Sequence, residues 1–291
     1  MPESQINYIP VALSTNNNYI SLAYVCMTSI LYSKKEFTYI SFYLIISRDF
    51  IQKNIDFLKS LYNQYDYFNI TFVKIDNRYN KAFVSRYITQ ESYFRFSLGE
   101  LIPQLNKIIY LDNDVIVFKD LTNLYNMNFN DKMILGQPVH YDNSSNEGYY
   151  RINPGIILIN LKKMREKKIE KKILNIVINK KEKYYYHDQS IINKYLKKYL
   201  GDFPPENHAR PYNVSQSIKF NNKTGNLYNN DFFLFSWKYP TMRHYLGVAK
   251  PSRLDVNIKI VEDWWYFARL SKYFIQKNNN INKIFNYSIS E

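Results

Sequence analysis

Two carboxylates one residue apart close an apolar run in Ile108-Ile109-Tyr110-Leu111-Asp112-Asn113-Asp114. Hard oxygen donors at the end of a strand suit a divalent cation such as Mg²⁺ or Mn²⁺. The same letters also describe an ordinary solvated turn, since Asp and Asn form turns on their own. An EF-hand is excluded, because its loop needs glycine at the sixth position and Val117 stands there. Other polar groups with chemical potential are scattered. Arg95 lies in Ser92-Tyr93-Phe94-Arg95-Phe96, Asn153-Pro154-Gly155 precedes an apolar stretch, His187-Asp188-Gln189 opens a helical one, and His244 is followed by Gly247 and Lys250. Taken singly, each is equally a surface or core residue.

The elements that must carry these groups alternate. Strands are expected over 8–14, 41–47, 70–75, 107–111, 133–139, 155–160 and 232–237. Helices are expected over 20–32, 49–62, 91–101, 169–180 and 188–198, with a loop over 200–212. Apolar residues at 51, 55, 58 and 61 keep one helical face. Strand and helix in alternation argue for an α/β fold, a mostly parallel sheet covered on both faces. Ligands in such sheets sit at the carboxyl ends of the strands, which is where Asp112 and Asp114 fall.

Composition removes several classes. The 291 residues include seven glycines, no two within three positions, so neither GxGxxG nor GxxxxGK[ST] can occur. Cys26 is the single cysteine, which excludes an internal disulfide and any CxxC site, and it reads as a small core residue. The first ten residues lack the basic-then-apolar order of a secretory signal. No apolar run approaches the roughly 20 residues of a membrane span. A cytoplasmic chain is expected. The net charge of +14 favours anionic partners without choosing among them, and much of it tracks a skew toward Lys, Asn, Ile and Tyr of the kind AT-rich coding produces.

In this order, Tyr93 to Val117, Asn153 to Lys162 (NPGIILINLK), His187-Asp188-Gln189 and His244 to Pro251 (HYLGVAKP) resemble glycosyltransferase family 8. The resemblance covers about Ile9 to Pro251. It implies a GT-A type, Rossmann-like catalytic domain over 1–250, with 251–291 as a basic, aromatic C-terminal extension. It implies transfer of a hexose, galactose or glucose, from a UDP-sugar to a saccharide or glycolipid acceptor in lipopolysaccharide, lipooligosaccharide or another surface glycan, with retention of configuration. Asp112, Asp114 and His244 resemble the Mn²⁺ ligands, with Mg²⁺ as an alternative. Lys250 and Gly247 match positions beside the diphosphate. Arg95, Asn113, Asn153, Gly155, Asp188 and Gln189 match positions around the donor, and Gln189 matches the one that faces the anomeric carbon opposite the leaving group. Ala12, Ser14, Asn16, Asn18 and Tyr19 match the segment that grips uridine. Two departures stand out: Asn16 where the family usually has Asp, and Pro154 where it has a small residue.

Retention through a covalent adduct would need a carboxylate nucleophile, and Asp188 is the one beside Gln189. Same-face substitution, with the leaving phosphate taking the acceptor's proton, is the favoured reading, because an amide is a poor nucleophile. Rival readings are a catalytically altered family member and a basic nucleic-acid binder; nucleic acid is not expected, because basicity gives no reason for the Asp-Asp-His set. The extension, with Trp264, Trp265, Tyr266, Phe267 and Phe274 among Arg269, Lys272 and Lys277, reads either as a peripheral membrane contact or as a segment packed back on the domain.

Overall fold

The computed structural model describes residues 6–84, 89–142, 149–179, 187–210, 236–246, 250–251 and 258–270. Nine strands appear there: β1 (Asn7–Thr15), β2 (Thr38–Ile46), β3 (Phe68–Lys74), β4 (Lys107–Leu111), β5 (Val115–Val117), β6 (Ile134–Asp142), β7 (Tyr149–Asn160), β8 (Leu200–Asp202) and β9 (Met242–His244). The α-helices are α1 (Ile20–Ser33), α2 (Gln52–Lys59), α3 (Leu98–Leu101), α4 (Thr122–Tyr125), α5 (Leu161–Glu166), α6 (Ile169–Asn179), α7 (His187–Tyr195) and α8 (Ile258–Leu270).

Seven strands form one sheet in the order β3-β2-β1-β4-β7-β6-β8. β1 is parallel to β2 and β4, and β2 to β3, while β7 alone runs against its neighbours β4 and β6. The period-2 alternation of strands divides the core between the two faces. Val11, Leu13, Ile109 and Leu111 pack with Tyr24, Met27 and Ile30 of α1 on one side. Ala12, Ile108 and Tyr110 pack on the other with Ile173 of α6 and Ile191 of α7. The mostly parallel α/β expectation holds.

β5 and β9 form a separate antiparallel pair that sequence reading did not foresee. Three residues each give too short a pattern to separate from loop. The segment 91–101, expected as one helix, is a 3₁₀ run, Gln90–Ser97, followed by the single turn of α3. Its threefold repeat stacks Ser92 and Arg95 on one side, and Arg95 Nε donates to the Ser92 carbonyl at 2.8 Å. β7 begins six residues earlier than expected. Its pairing with β6 jumps from Gly136–Ile157 to Pro138–Ile152, so Asn153-Pro154-Gly155 bulges out of the ladder. The loop expected over 200–212 contains the edge strand β8 and a 3₁₀ turn, Pro205–His208. The strand expected over 232–237 fails where it can be seen, since 236–238 are helical; 232–235 lie outside the described residues. α8 lays Val261, Trp264, Trp265, Phe267 and Ala268 against Leu22 and Val25 of α1, Ile116 of β5 and Tyr245. Phe274, Lys272 and Lys277 lie outside the described residues. Among the described residues no helix is long and apolar enough to cross a membrane.

Candidate active site

The site forms where β1 and β4 end together. Leu13 of β1 pairs with Leu111 of β4, so Ser14 and Asp112 leave the sheet side by side. After Asp114 the chain enters β5, whose Val115 pairs with His244 of β9. The Tyr245 amide also donates to the Asp114 carbonyl at 3.0 Å. This short ladder brings together residues 130 positions apart. His244 Nε2 lies 3.1 Å from Asp114 Oδ1 and 3.7 Å from Asp112 Oδ2. One donor atom from each of the three residues falls within 4.8 Å of the others. Two carboxylates and one imidazole are a fitting donor set for Mn²⁺ or Mg²⁺, since oxygen-rich sites suit those ions and imidazole is tolerated by Mn²⁺ more readily than by Mg²⁺.

Gly155 makes the room for this cluster. A β-carbon on it would stand 2.1 Å from His244 Cε1 and 2.7 Å from Asp112 Oδ2, and its carbonyl accepts the Asp112 amide at 2.7 Å.

Fixed cations surround the carboxylates. Lys250 Nζ is 3.1 Å from Asp114 Oδ2, and Arg95 Nη2 is 2.9 Å from Asp112 Oδ1. Burial opposes ionisation of Asp114, but Lys250 and His244 outweigh it and hold the carboxyl below its usual range. Asp114 in turn raises the Lys250 ammonium against the effect of its burial. Arg95 is fully enclosed: its guanidinium stacks 4.3 Å from the Tyr110 ring centre and donates to the Pro154 carbonyl. Its Nε is also 3.1 Å from Asp188 Oδ2. Burial pushes the Asp188 carboxyl up to about 6, Arg95 works against that, and Asp112 adds to it. Asp188 Oδ2 is buried and has no hydrogen bond among the described residues, so Arg95 neutralises it without satisfying it.

A cleft of about 290 Å³ opens here, lined among others by Ser14, Asn16, Tyr19, Arg95, Asp112, Asn113, Asp114, Asn153, Asp188, Gln189, His244 and Lys250. Twelve residues singled out from sequence thus share one cavity. Ala12 does not line it; it is fully buried in the core beneath the site. Asn18 is exposed outside it, and Gly247 lies outside the described residues. Asn16 Oδ1 accepts the amides of Asn18 at 2.9 Å and Tyr19 at 3.2 Å, so its oxygen is engaged in its own turn. Asn153 Oδ1 likewise accepts the Gly155 amide at 2.9 Å, and Asn113 donates to the Ser14 carbonyl at 2.9 Å.

Residues 10–252 match the profile of glycosyl transferase family 8. The chain belongs to that family. General stress protein A of Bacillus subtilis (strain 168) is 23% identical over 226 residues, spanning 74% of this chain and 77% of its own length. The lipopolysaccharide 1,2-glucosyltransferase of Escherichia coli (strain K12) is 25% identical over 256 residues, 83% of this chain and 72% of its own. Among solved structures, the galactosyltransferase LgtC in complex with donor and acceptor sugar analogues superposes with a TM-score of 0.75 at 22% identity, covering 89% of this chain and 95% of that one. That likeness shows a shared fold, of the GT-A type.

Sequence reading missed several parts of this family 8 cleft. Thr15, Leu22, Thr89, Glu91, Ser92, Tyr110 and Leu246 also line it. Tyr110 had a signal, since strand alternation puts it on the same face as Asp112. His208 had none: it touches the ring of His244 only because the turn Pro205–His208 folds against β9.

Proposed function

We propose that this family 8 glycosyltransferase moves a hexose, galactose or glucose, from a UDP-sugar to a saccharide acceptor, with Mn²⁺ or Mg²⁺ held by Asp112, Asp114 and His244 and with retention of anomeric configuration. The observation that carries this reading is the convergence of those three donors with Lys250 in one cleft. A divalent cation there would draw charge from the diphosphate as the glycosidic bond breaks. Lys250 stands ready to do the same from the other side of Asp114. The unsatisfied Asp188 oxygen supplies an acceptor for donor-sugar hydroxyls, and Arg95 keeps its charge in place. Gln189 contributes a neutral amide dipole beside the anomeric centre.

The bond from the anomeric carbon to the leaving phosphate breaks while the acceptor oxygen bonds to the same face. The acceptor proton goes to the leaving phosphate oxygen, and UDP departs. A nucleophilic role for Asp188 is disfavoured by its ion pair with Arg95, which holds Oδ2 and fixes its position. The relative named for lipopolysaccharide and the neighbour solved with donor and acceptor sugar analogues support a glycan acceptor, including a glycolipid.

The test is a panel of UDP-galactose, UDP-glucose and UDP-N-acetylglucosamine with Mn²⁺, following donor hydrolysis and product anomer by NMR. One donor should be cleaved with retention, and Asp112→Ala and Asp114→Ala should lose that activity by at least a hundredfold. Near-normal turnover in either variant overturns the site assignment. A hexosyl adduct on Asp188 found by mass spectrometry overturns the same-face mechanism.

A further inference from the structure

His208 is fully buried and its Nε2 lies 2.9 Å from Nδ1 of His244. The rings are 5.0 Å apart between centres and tilted by 36°. The backbone fixes this contact. The Ala209 amide donates to the Met242 carbonyl and the His244 amide to the Ala209 carbonyl, both at 2.9 Å. His208 Nδ1 has no hydrogen-bond partner among the described residues, so the contact with His244 is the one polar contact seen for this ring. A buried imidazole held by one hydrogen bond to a candidate ligand invites a role in orienting that ligand.

We propose that His208 is the positioning residue of the cation site: it accepts a hydrogen bond from Nδ1–H of His244 and so reserves the Nε2 lone pair of His244 for the metal. The inference rests on the metal reading of Asp112, Asp114 and His244. An imidazole can offer Nε2 to a cation only when its proton sits on Nδ1, and a partner at Nδ1 decides which tautomer is held. Without a cation, the opposite tautomer is available, with His244 Nε2–H donating to Asp114 Oδ1 at 3.1 Å. The His208 acceptor is therefore what biases the ring toward the ligating form. With the His208 proton on its own Nδ1, its Nε2 lone pair faces His244 Nδ1 at 2.9 Å. The oxygens of Asp112 and Asp114 need no such help, because a carboxylate presents lone pairs in every rotamer.

Three full-length proteins test this: the unaltered chain, His208→Phe and His208→Gln. Phenylalanine keeps a planar ring without an acceptor, and glutamine can place Oε1 near the former Nε2. Mn²⁺ affinity is read by electron paramagnetic resonance, with metal-free melting as the control for folding. His208→Phe should bind Mn²⁺ about 10- to 100-fold more weakly, and His208→Gln should recover most of the loss. Imidazole ¹⁵N NMR on the unaltered chain with Zn²⁺ as a diamagnetic probe gives a readout independent of any variant. His244 should then carry its proton on Nδ1. Unchanged Mn²⁺ affinity in a folded His208→Phe protein, or a proton on His244 Nε2 in the Zn²⁺ form, overturns the proposal alone. Failure of the unaltered chain to bind Mn²⁺ overturns the metal reading and this proposal with it.

Discussion

The α-carbon of Gly155 stands so close to His244 that a methyl group added there would meet Cε1 of the imidazole at 2.1 Å. Neither side can yield cheaply. Gly155 is tied to Asp112 through a backbone hydrogen bond, and His244 is held in the β5–β9 ladder. Gly155→Ala should push the ring away from Asp112 and Asp114 and weaken Mn²⁺ binding by more than tenfold. Paramagnetic titration of the variant against the unaltered chain checks this, and equal affinities would show that the cluster does not depend on the gap.

That relationship marks the boundary of what sequence reading could reach. Asp112, Asp114, Asn153 and Asp188 are named by local pattern and by family resemblance; the sheet places the first three at one edge, and α7 brings Asp188 to the same cleft. The space that Gly155 leaves is a long-range packing fact. From sequence, Gly155 reads as a donor-binding residue, whereas the structure gives it a steric task toward His244 and Asp112. His208 is invisible for the same reason: its partner is 36 positions away and no periodicity links them. The β5–β9 pair escapes notice because three-residue strands carry no readable alternation. The long parallel strands β1, β2 and β4 were legible because burial on both faces forces continuous apolar runs.

Asp120 gives stability a measurable pH dependence. Its carboxylate accepts the Lys35 amide and the Thr38 hydroxyl at 2.7 Å and the Thr122 amide at 2.8 Å, tying the entrance of β2 to the start of α4. Burial raises its pKa, but these hydrogen bonds prevail and the folded value lies below the ordinary one. The folded chain thus binds this proton less readily than the unfolded chain. Its stabilisation is complete above the unfolded pKa of roughly 3.9 and fades as pH falls through the lower folded value. Asp120→Ala should cost about 1–3 kcal/mol at pH 7 in urea melts. Between about pH 5 and pH 3 the loss of stability should be smaller in the variant than in the unaltered chain. A parallel decline in both proteins would remove Asp120 from the acid response.

Cys26 sits in α1 with no exposed surface, and burial raises its thiol pKa well above the ordinary value. The thiolate is the reactive form, so the folded protein should be inert toward thiol reagents at neutral pH. A chromogenic disulfide reagent should report no reaction in buffer and one equivalent per chain in denaturant. Rapid labelling of the native protein would contradict the burial of α1.

The helix at the far end of the described chain supports the site from behind, packing against Leu22, which lines the cleft. Trp264 is 2% exposed and packs with Trp265 and Phe267 against α1 and β5. Asp263 of α8 pairs with Arg243, whose guanidinium lies 3.9 Å from the Trp237 ring centre. Arg243 neighbours His244 on β9 and faces the opposite side of the strand, so α8 braces the back of the ladder whose front carries the candidate ligand. Trp264→Ala should cost about 3–5 kcal/mol in chemical denaturation, the range for removing a large buried aromatic side chain. Ending the chain at Pro251 should do more, because Leu22, Val25, Ile116 and Tyr245 would all lose their cover. The shortened protein should unfold at lower denaturant and bind Mn²⁺ more weakly than the full chain. A shortened protein that matches the full chain in both would mean that residues 251–291 are an appendage, and that β9 holds His244 without them.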